Sequence, residues 1–339
     1  MKNIIGVNKP CALPAAAPEV KFITVDVESA GQRLDNFLIR HLKGVPKTHV
    51  YRIIRSGEVR VNKGRAAADT RVTAGDVVRL PPVRLSGRME EKAANPAPAR
   101  EFPILLEDDW LMAIDKPAGV AVHGGSGVSF GVIEQLRMAR PKARFLELVH
   151  RLDRDTSGIL LVAKKRSALT ALQDQFRERE TGKTYLALVT GNWPVNKKVI
   201  DAPLHKYLLP GKDGEGERRV KVVAKDDPDG MRSITLVKVA RELKGFTLLE
   251  VTIKTGRTHQ IRVHLASQGH PIVGDGKYGD FELNKSLQKQ PGNSGLKRMF
   301  LHAWRLQFNH PSGGERIELL AELPSELQKF VAHATPTEP

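Results

Sequence analysis

A dense polar cluster in this chain runs without transition into an apolar strand. His150-Arg151-Leu152-Asp153-Arg154-Asp155-Thr156-Ser157-Gly158 is followed at once by Ile159-Leu160-Leu161-Val162-Ala163. The apolar run must be buried in a sheet, so the cluster is carried at the mouth of a rigid element. Reactive side chains are best held there. Alone, an Asp between two Arg residues reads equally well as a surface ion pair worth little.

Four further segments decide between these readings. Lys183-Thr184-Tyr185-Leu186-Ala187-Leu188-Val189-Thr190-Gly191 is one. Thr255-Gly256-Arg257-Thr258-His259-Gln260-Ile261-Arg262-Val263-His264 is the second, Gly269-His270-Pro271-Ile272-Val273-Gly274-Asp275 the third, and Leu301-His302-Ala303 the fourth. In this order, with HRLD-x-x-TSG ahead of them, they resemble the motifs of RluA-type pseudouridine synthases over about Phe102 to Val331. The resemblance implies the pseudouridine synthase fold, an α+β domain with an RNA-binding cleft across a central sheet. It implies uridine isomerisation with Asp153 as catalytic carboxylate, and no cofactor or metal. Within the family the layout looks closest to members acting on 23S ribosomal RNA, with siblings at other uridines of that RNA as the alternative.

Composition sets the frame. The 339 residues suffice for two domains; hydrophobic residues make up 40% and charged residues 27%, as in soluble globular proteins. No apolar run reaches the roughly 18 residues that cross a bilayer. Pro10, Pro14 and Pro18 interrupt an N-terminus without an apolar core, so residues 1–20 are expected to be a flexible tail rather than a secretory signal. The single cysteine, Cys11, excludes disulfide frameworks and CxxC zinc sites and fits a cytoplasmic location. The net charge is +16, and Gly31 to Arg100 holds 15 Lys+Arg against 6 Asp+Glu, a local +9. That concentration favours a polyanionic partner. With the resemblance, the expected partner is ribosomal RNA, free or in an assembling large subunit, with no membrane and the protein a monomer.

Residues 21–82 read as a small module. Leu34, Phe37 and Leu38 recur at helical spacing, a second helix spans Thr48 to Ser56, and Gly57 stops it. Val59-Arg60-Val61-Asn62 alternates as a strand, Asn62-Lys63-Gly64 and Thr73-Ala74-Gly75-Asp76 are turns, and Val77–Leu80 is a strand. Gln32-Arg33-Leu34-Asp35 and Ser56-Gly57-Glu58-Val59-Arg60-Val61-Asn62 are similar to an S-four-like (alpha-L) RNA-binding domain. Arg33, Lys47, Arg52, Arg55 and Lys63 are its candidate phosphate contacts. Residues 83–100, with Pro96 and Pro98, form a linker. The catalytic domain is expected over 101–334. Its strands fall near 104–107, 111–116, 146–149, 158–164, 184–189, 233–240 and 246–255, and its helices near 132–138, 168–180, 258–268 and 325–332. They do not alternate strictly, which predicts a mixed, mostly antiparallel sheet.

Pseudouridylation cuts the bond between uracil N1 and ribose, turns the base and rejoins it through carbon. A buried Asp153 needs a nearby cation to stay ionised. The resemblance assigns that task to Arg262, whose planar fork can grip a carboxylate bidentately. It assigns Tyr185 to stacking on the flipped base; a sheet-core Tyr is the other reading. Arg151 or Arg154 fills the vacated stack or grips phosphates, and His150 supports the loop. Gly256-Arg257-Thr258 before a helix suits a phosphate. Leu301 either walls the base pocket or packs the core. Arg218-Arg219-Val220-Lys221 reads as a solvated Gly-rich loop. His259 and His264 are five apart and do not form a metal pair on one helix face.

Two other classes fit the residues less well. A non-catalytic RNA-binding assembly factor would not need Asp153, Tyr185 and Arg262 together. A glycoside hydrolase needs two carboxylates about the bond, and Asp155 lies too near Asp153 in the chain to oppose it.

Overall fold

The computed structural model describes residues 19–42, 45–83, 97–124, 130–209, 217–291 and 295–334. Most of the expected tail, with Cys11, and most of the expected linker lie outside the described residues. The described residues fall into two compact units, within 1–96 and 97–339.

The first unit has a three-stranded antiparallel sheet of β1 (Lys21–Thr24), β3 (Val77–Leu80) and β2 (Arg60–Val61), in that order. Helices α1 (Leu34–His41) and α2 (Lys47–Arg55) each bury one apolar stripe. Leu34, Phe37 and Leu38 meet Val50, Ile53 and Ile54, and Val59, Val72, Val78 and Leu80 complete the core. The turn after β2 holds Asn62 and Lys63 at positive φ, with Val61 and Gly64 hydrogen-bonded across it.

The second unit is built on a ten-stranded sheet. Its main path runs β4 (Ile104–Glu107), β5 (Leu111–Lys116), β7 (Ser157–Ala163), β14 (Leu301–Asn309), β8 (Gly182–Thr190), β13 (Phe246–Ile253), β12 (Ile234–Leu243), β9 (Val199–Asp201). β6 (Glu147–Leu148) pairs with β7, and β15 (Arg316–Leu320) with β14. A separate hairpin joins β10 (Leu204–Leu209) to β11 (Glu217–Val222). The helices are α3 (Val132–Ala139), α4 (Arg166–Glu178), α5 (Gln260–Ser267), α6 (Phe281–Lys289) and α7 (Ser325–Ala334).

The unbroken apolar run of β7 now has its reason. Ile159, Leu161 and Ala163 face a core with Ala168, Leu169 and Leu172 of α4. Leu160 and Val162 face another with Val132, Ile133 and Leu136 of α3. A strand covered on both faces is apolar throughout rather than alternating.

β14 lies between β7 and β8. It runs parallel to β7 through His302↔Ser157 and Ala303↔Gly158, and antiparallel to β8. Gly158 has φ +107°, and a Cβ on it would collide with the Ala303 backbone. Only glycine allows this approach.

Several elements differ from the sequence reading. Arg218–Lys221 belongs to β11, not a loop. Helix α5 begins at Gln260 instead of 258 because His259 sits at φ 53°, in the left-handed region. Helix α4 starts at Arg166 and ends where Arg179 turns left-handed at φ 66°. The strand expected over 146–149 is two residues long.

Candidate active site

Asp153 lies in the loop between β6 and β7, whose ends are fixed from below. His150 stacks on Phe176 of α4, with centroids 4.8 Å apart, and its Nε2 accepts the Leu161 N–H at 3.1 Å. Burial, with the charge of Lys183, pushes its imidazole down to about 3. A neutral ring already used as an acceptor is a strut and not a proton carrier. Ser157, at the start of β7, shares its hydroxyl with His302 Nδ1 (2.8 Å) and accepts Arg298 Nη2 (2.7 Å).

Arg262 reaches the loop from α5. Its Nη1 donates to Asp153 Oδ2 at 3.0 Å. Its bidentate fork goes elsewhere: Nε and Nη2 each donate to Asp275 at 2.8 Å. The expected bidentate grip on Asp153 is therefore corrected to a single bond, because a fully buried second carboxylate takes the planar face of the guanidinium. Burial opposes the charge on Arg262, but the two carboxylates outweigh it and hold the group protonated. Burial would also raise Asp275, yet the bonds and charge of Arg262 hold it below its ordinary 3.8.

The cleft beside this pair is lined by Arg151, Asp153, Tyr185, Arg257, Arg262 and Leu301, among others. Tyr185 pairs with Ala303 of β14 and Val251 of β13, which places it mid-sheet. Burial, and then the charge of Asp153, push its phenol above the ordinary 10, so it keeps its proton at neutral pH. Leu301 is 3% exposed; it lines the cleft and also packs in the core with Ile261 and Leu265 of α5. Arg151 and Arg257 are exposed. Arg154 is exposed too, and its Nε lies 3.3 Å from Asp155 Oδ1. The amide of Arg257 donates to Gln260 Oε1 at 3.1 Å and so is not open to a phosphate. Asp153 is the sole carboxylate among the described residues lining this cleft, while Asp155 and Glu217 line the adjoining groove that Asp153 also borders.

Three participants were missed. Asp275 closes the Gly274-Asp275 motif, but nothing in a linear pattern says that it meets Arg262. His259 has Nε2 3.9 Å from Asp153 Oδ2. Lys116, fully buried at the end of β5, donates to the carbonyls of Pro117 (2.8 Å), Val120 (2.8 Å) and Arg154 (3.0 Å). Burial pushes its ammonium down to about 7. A lysine ending the strand Leu111–Lys116, directly before Pro117, was the available signal.

His264 stands apart from the cleft, with Nδ1 at Thr235 Oγ1 (2.8 Å) and Nε2 at the Ala202 carbonyl (2.9 Å). Among the described residues His205, Asp227 and Asp229 have ligand-like spacing, and none of them lines the cleft. In the first unit Arg33, Lys47, Arg52, Arg55 and Lys63 are all exposed. Arg33 is bonded through Nε (3.2 Å) and Nη2 (2.8 Å) to Asp35. No helix among the described residues is long and apolar enough to cross a membrane.

A profile for RNA pseudouridylate synthases matches residues 110–267, and one for the S4 domain matches 32–78. The chain belongs to the RNA pseudouridylate synthase family and is an isomerase acting on uridine. It is 51% identical to the ribosomal large subunit pseudouridine synthase C of Yersinia pestis, over 92% of this chain and 94% of that one. The protein of the same name from Escherichia coli K12 is likewise 51% identical, over 92% and 96%. Human RNA pseudouridylate synthase domain containing 1 superposes with a TM-score of 0.55 at 25% identity, covering 72% of this chain and 91% of that one. The human domain containing 4 gives 0.53 at 26%, covering 67% and 92%.

Proposed function

We propose that this protein isomerises specific uridines of large-subunit (23S) ribosomal RNA, with Asp153 as the catalytic carboxylate. The observation that carries the reading is the Arg262–Asp153 pair at 3.0 Å, in a cleft whose walls include Tyr185 and Leu301. The relatives named for the large ribosomal subunit support the substrate.

The target nucleotide leaves its stack, at a cost of a few kcal/mol, and enters the cleft. Asp153 acts at the anomeric carbon as the bond to N1 breaks. The freed uracil is held between Tyr185 and Leu301, turns, and bonds to that carbon through C5. The proton on C5 is lost and N1 gains one, so atoms balance and no redox step is needed. Arg262 supplies the positive charge beside Asp153. Arg151 or Arg154 takes the vacated position in the stack, and Arg257 meets backbone phosphate.

Residues 21–82 serve as the RNA-binding domain, with Arg33, Lys47, Arg52, Arg55 and Lys63 on phosphates. Residues 83–100 are the linker and 101–334 the catalytic domain. The protein works as a cytoplasmic monomer.

Mapping pseudouridines in 23S ribosomal RNA from cells with and without this protein tests the reading. Sites that vanish on deletion and return with the wild-type gene are expected; an unchanged map sinks it. Deleting residues 21–82 should weaken RNA binding and flatten its dependence on salt. An unchanged salt slope would remove the module from the RNA contact.

A further inference from the structure

His259 is held in a backbone conformation that costs an ordinary residue energy. It sits at φ 53° and ψ 20°, just ahead of α5. Such strain in a non-glycine residue persists only where the surroundings impose it, and it collects at functional positions. The side chain is 17% exposed and is held from both ends. Nδ1 lies 2.9 Å from Tyr278 Oη, and Nε2 lies 3.9 Å from Asp153 Oδ2.

The hydrogens on this chain of groups can be assigned by satisfaction. Tyr278 Oη accepts the Val220 N–H of β11 at 3.0 Å. A phenolic oxygen also has one hydrogen to give. Donating it to His259 Nδ1 uses every group, from Val220 N–H through Tyr278 Oη–H to the imidazole. Nδ1 is then the acceptor and Nε2 bears the hydrogen, pointing toward the carboxylate. The opposite tautomer would turn a lone pair toward Asp153 and leave the half-buried tyrosine hydrogen without this acceptor. The groups facing the ring are Asp153 from the β6–β7 loop, Arg262 from α5, and Asp275, Lys277 and Tyr278 from the turn after it. Burial pulls the imidazole below 6.5, and Arg262 and Lys277 add to this against the two aspartates. The ring is therefore neutral at physiological pH, where a tautomer is meaningful.

We infer that His259 is a positioning residue for Asp153, and that Tyr278 sets its tautomer from the β10–β11 hairpin. The contact at 3.9 Å is longer than a hydrogen bond, as contacts in a site without substrate often are, and tightens when RNA fills the cleft. The hairpin is seated on the same turn by Lys277 Nζ, which donates to the Arg218 carbonyl (2.6 Å) and pairs with Glu217 (2.8 Å). Its placement is thereby transmitted to the carboxylate through two side chains. The inference rests on Asp153 being the catalytic group.

The test combines a tautomer measurement with single-turnover kinetics. Nitrogen-15 NMR of the full-length protein labelled in histidine, above pH 7, should show His259 with its hydrogen on Nε2. Tyr278→Phe, which keeps the ring, should move that signal toward a mixture of tautomers. His259→Asn keeps the backbone, because asparagine tolerates the left-handed region, but cannot reach both partners. It should slow pseudouridine formation on transcribed 23S ribosomal RNA about tenfold, with the RNA Kd within about twofold of wild type. The double variant should be no slower than His259→Asn alone, because both changes break one chain. A hydrogen on Nδ1 in the wild type, a signal unmoved by Tyr278→Phe, or additive rate losses would overturn the inference. Asp153→Asn, run beside them, separates the two questions: full activity there defeats the catalytic assignment, whatever the histidine signal shows.

Discussion

The loop carrying Asp153 and the turn carrying Asp275 present carboxylates to the same arginine, and the two are treated very differently. Asp275 is fully buried and accepts four bonds: two from Arg262, and the amides of Lys277 (2.8 Å) and Tyr278 (3.1 Å). Asp153 is 23% exposed in its side chain and accepts one described hydrogen bond, from Nη1. One carboxylate is saturated, and its charge fixes the guanidinium. The other receives a single bond from an arginine that cannot turn away, and keeps lone pairs for chemistry. The bonding capacity left on Asp153 supports its proposed role as the reacting acid, and the saturation of Asp275 supports a structural one.

Substitution should pull the two apart. Asp153→Asn should lower product formation by roughly four orders of magnitude, the scale of losing a central catalytic group. It should leave denaturant stability within about 1 kcal/mol, since Arg262 keeps its fork on Asp275. A large loss of stability would mean that Asp153 is structural as well. Asp275→Asn should do the reverse, costing about 3–5 kcal/mol in urea unfolding, because it leaves a buried guanidinium short of its partner. If that variant unfolds at the wild-type midpoint, the contrast between the two acids fails.

Arg262→Lys touches both sides. Lysine keeps the charge but cannot span three oxygens, so a fall of about a hundredfold in the single-turnover rate is expected, near 2.7 kcal/mol of barrier. Because Asp275 loses its fork, stability should fall too, more than the sequence alone suggests. A rate within about threefold of wild type would show that another cation serves Asp153, with Arg151 or Arg154 the ones to examine.

A further effect, on stability alone, appears in acid. Burial pushes His302 down to about 4 from 6.5, so it folds uncharged. Between those values the unfolded chain binds the extra proton, so stability falls as pH drops from 6.5 to 4, by at most about 1.4 kcal/mol per unit for this group. Asp275 behaves as a depressed acid: its contribution is present above 3.8 and is lost as pH falls below that value. His150, pushed down to about 3, adds to the same decline, so urea midpoints should fall from pH 6.5 downward and more steeply below 3.8. Asp275→Asn should keep the histidine decline and lose the added steepness below pH 3.8.

The residues that could be read from sequence are those with local signatures. The helical stripe of Leu34, Phe37 and Leu38 follows from periodicity, the strand after Gly158 from its unbroken apolar run, and the Tyr185 strand from resemblance. The segments His150–Gly158 and Thr255–His264 named Asp153 and Arg262 through resemblance. What could not be read is non-local. β14 enters between β7 and β8 although its first residue, Leu301, lies 111 positions beyond Thr190 at the end of β8, and no spacing records that insertion. The hairpin strand β11 was hidden by its charged residues, since Arg218 and Lys221 are exposed and only its two valines, Val220 and Val222, pack against Leu204 and Val263. The second partner of Arg262 was invisible because a buried carboxylate and a reactive one have the same letter.

The crossing of Gly158 beneath Ala303 has a consequence for genetics. A saturation screen scored by ribosomal RNA modification would find that position almost as intolerant as Asp153, although glycine has no side chain with which to react. An alanine there would push apart β7 and β14, and with them the loop of Asp153 and the wall formed by Leu301. Ranking positions by intolerance alone would place a bare hydrogen among the catalytic groups. Pairing such a screen with abundance measurements would separate them: Gly158 variants should disappear from the soluble pool, whereas Asp153 variants should accumulate in full and do nothing.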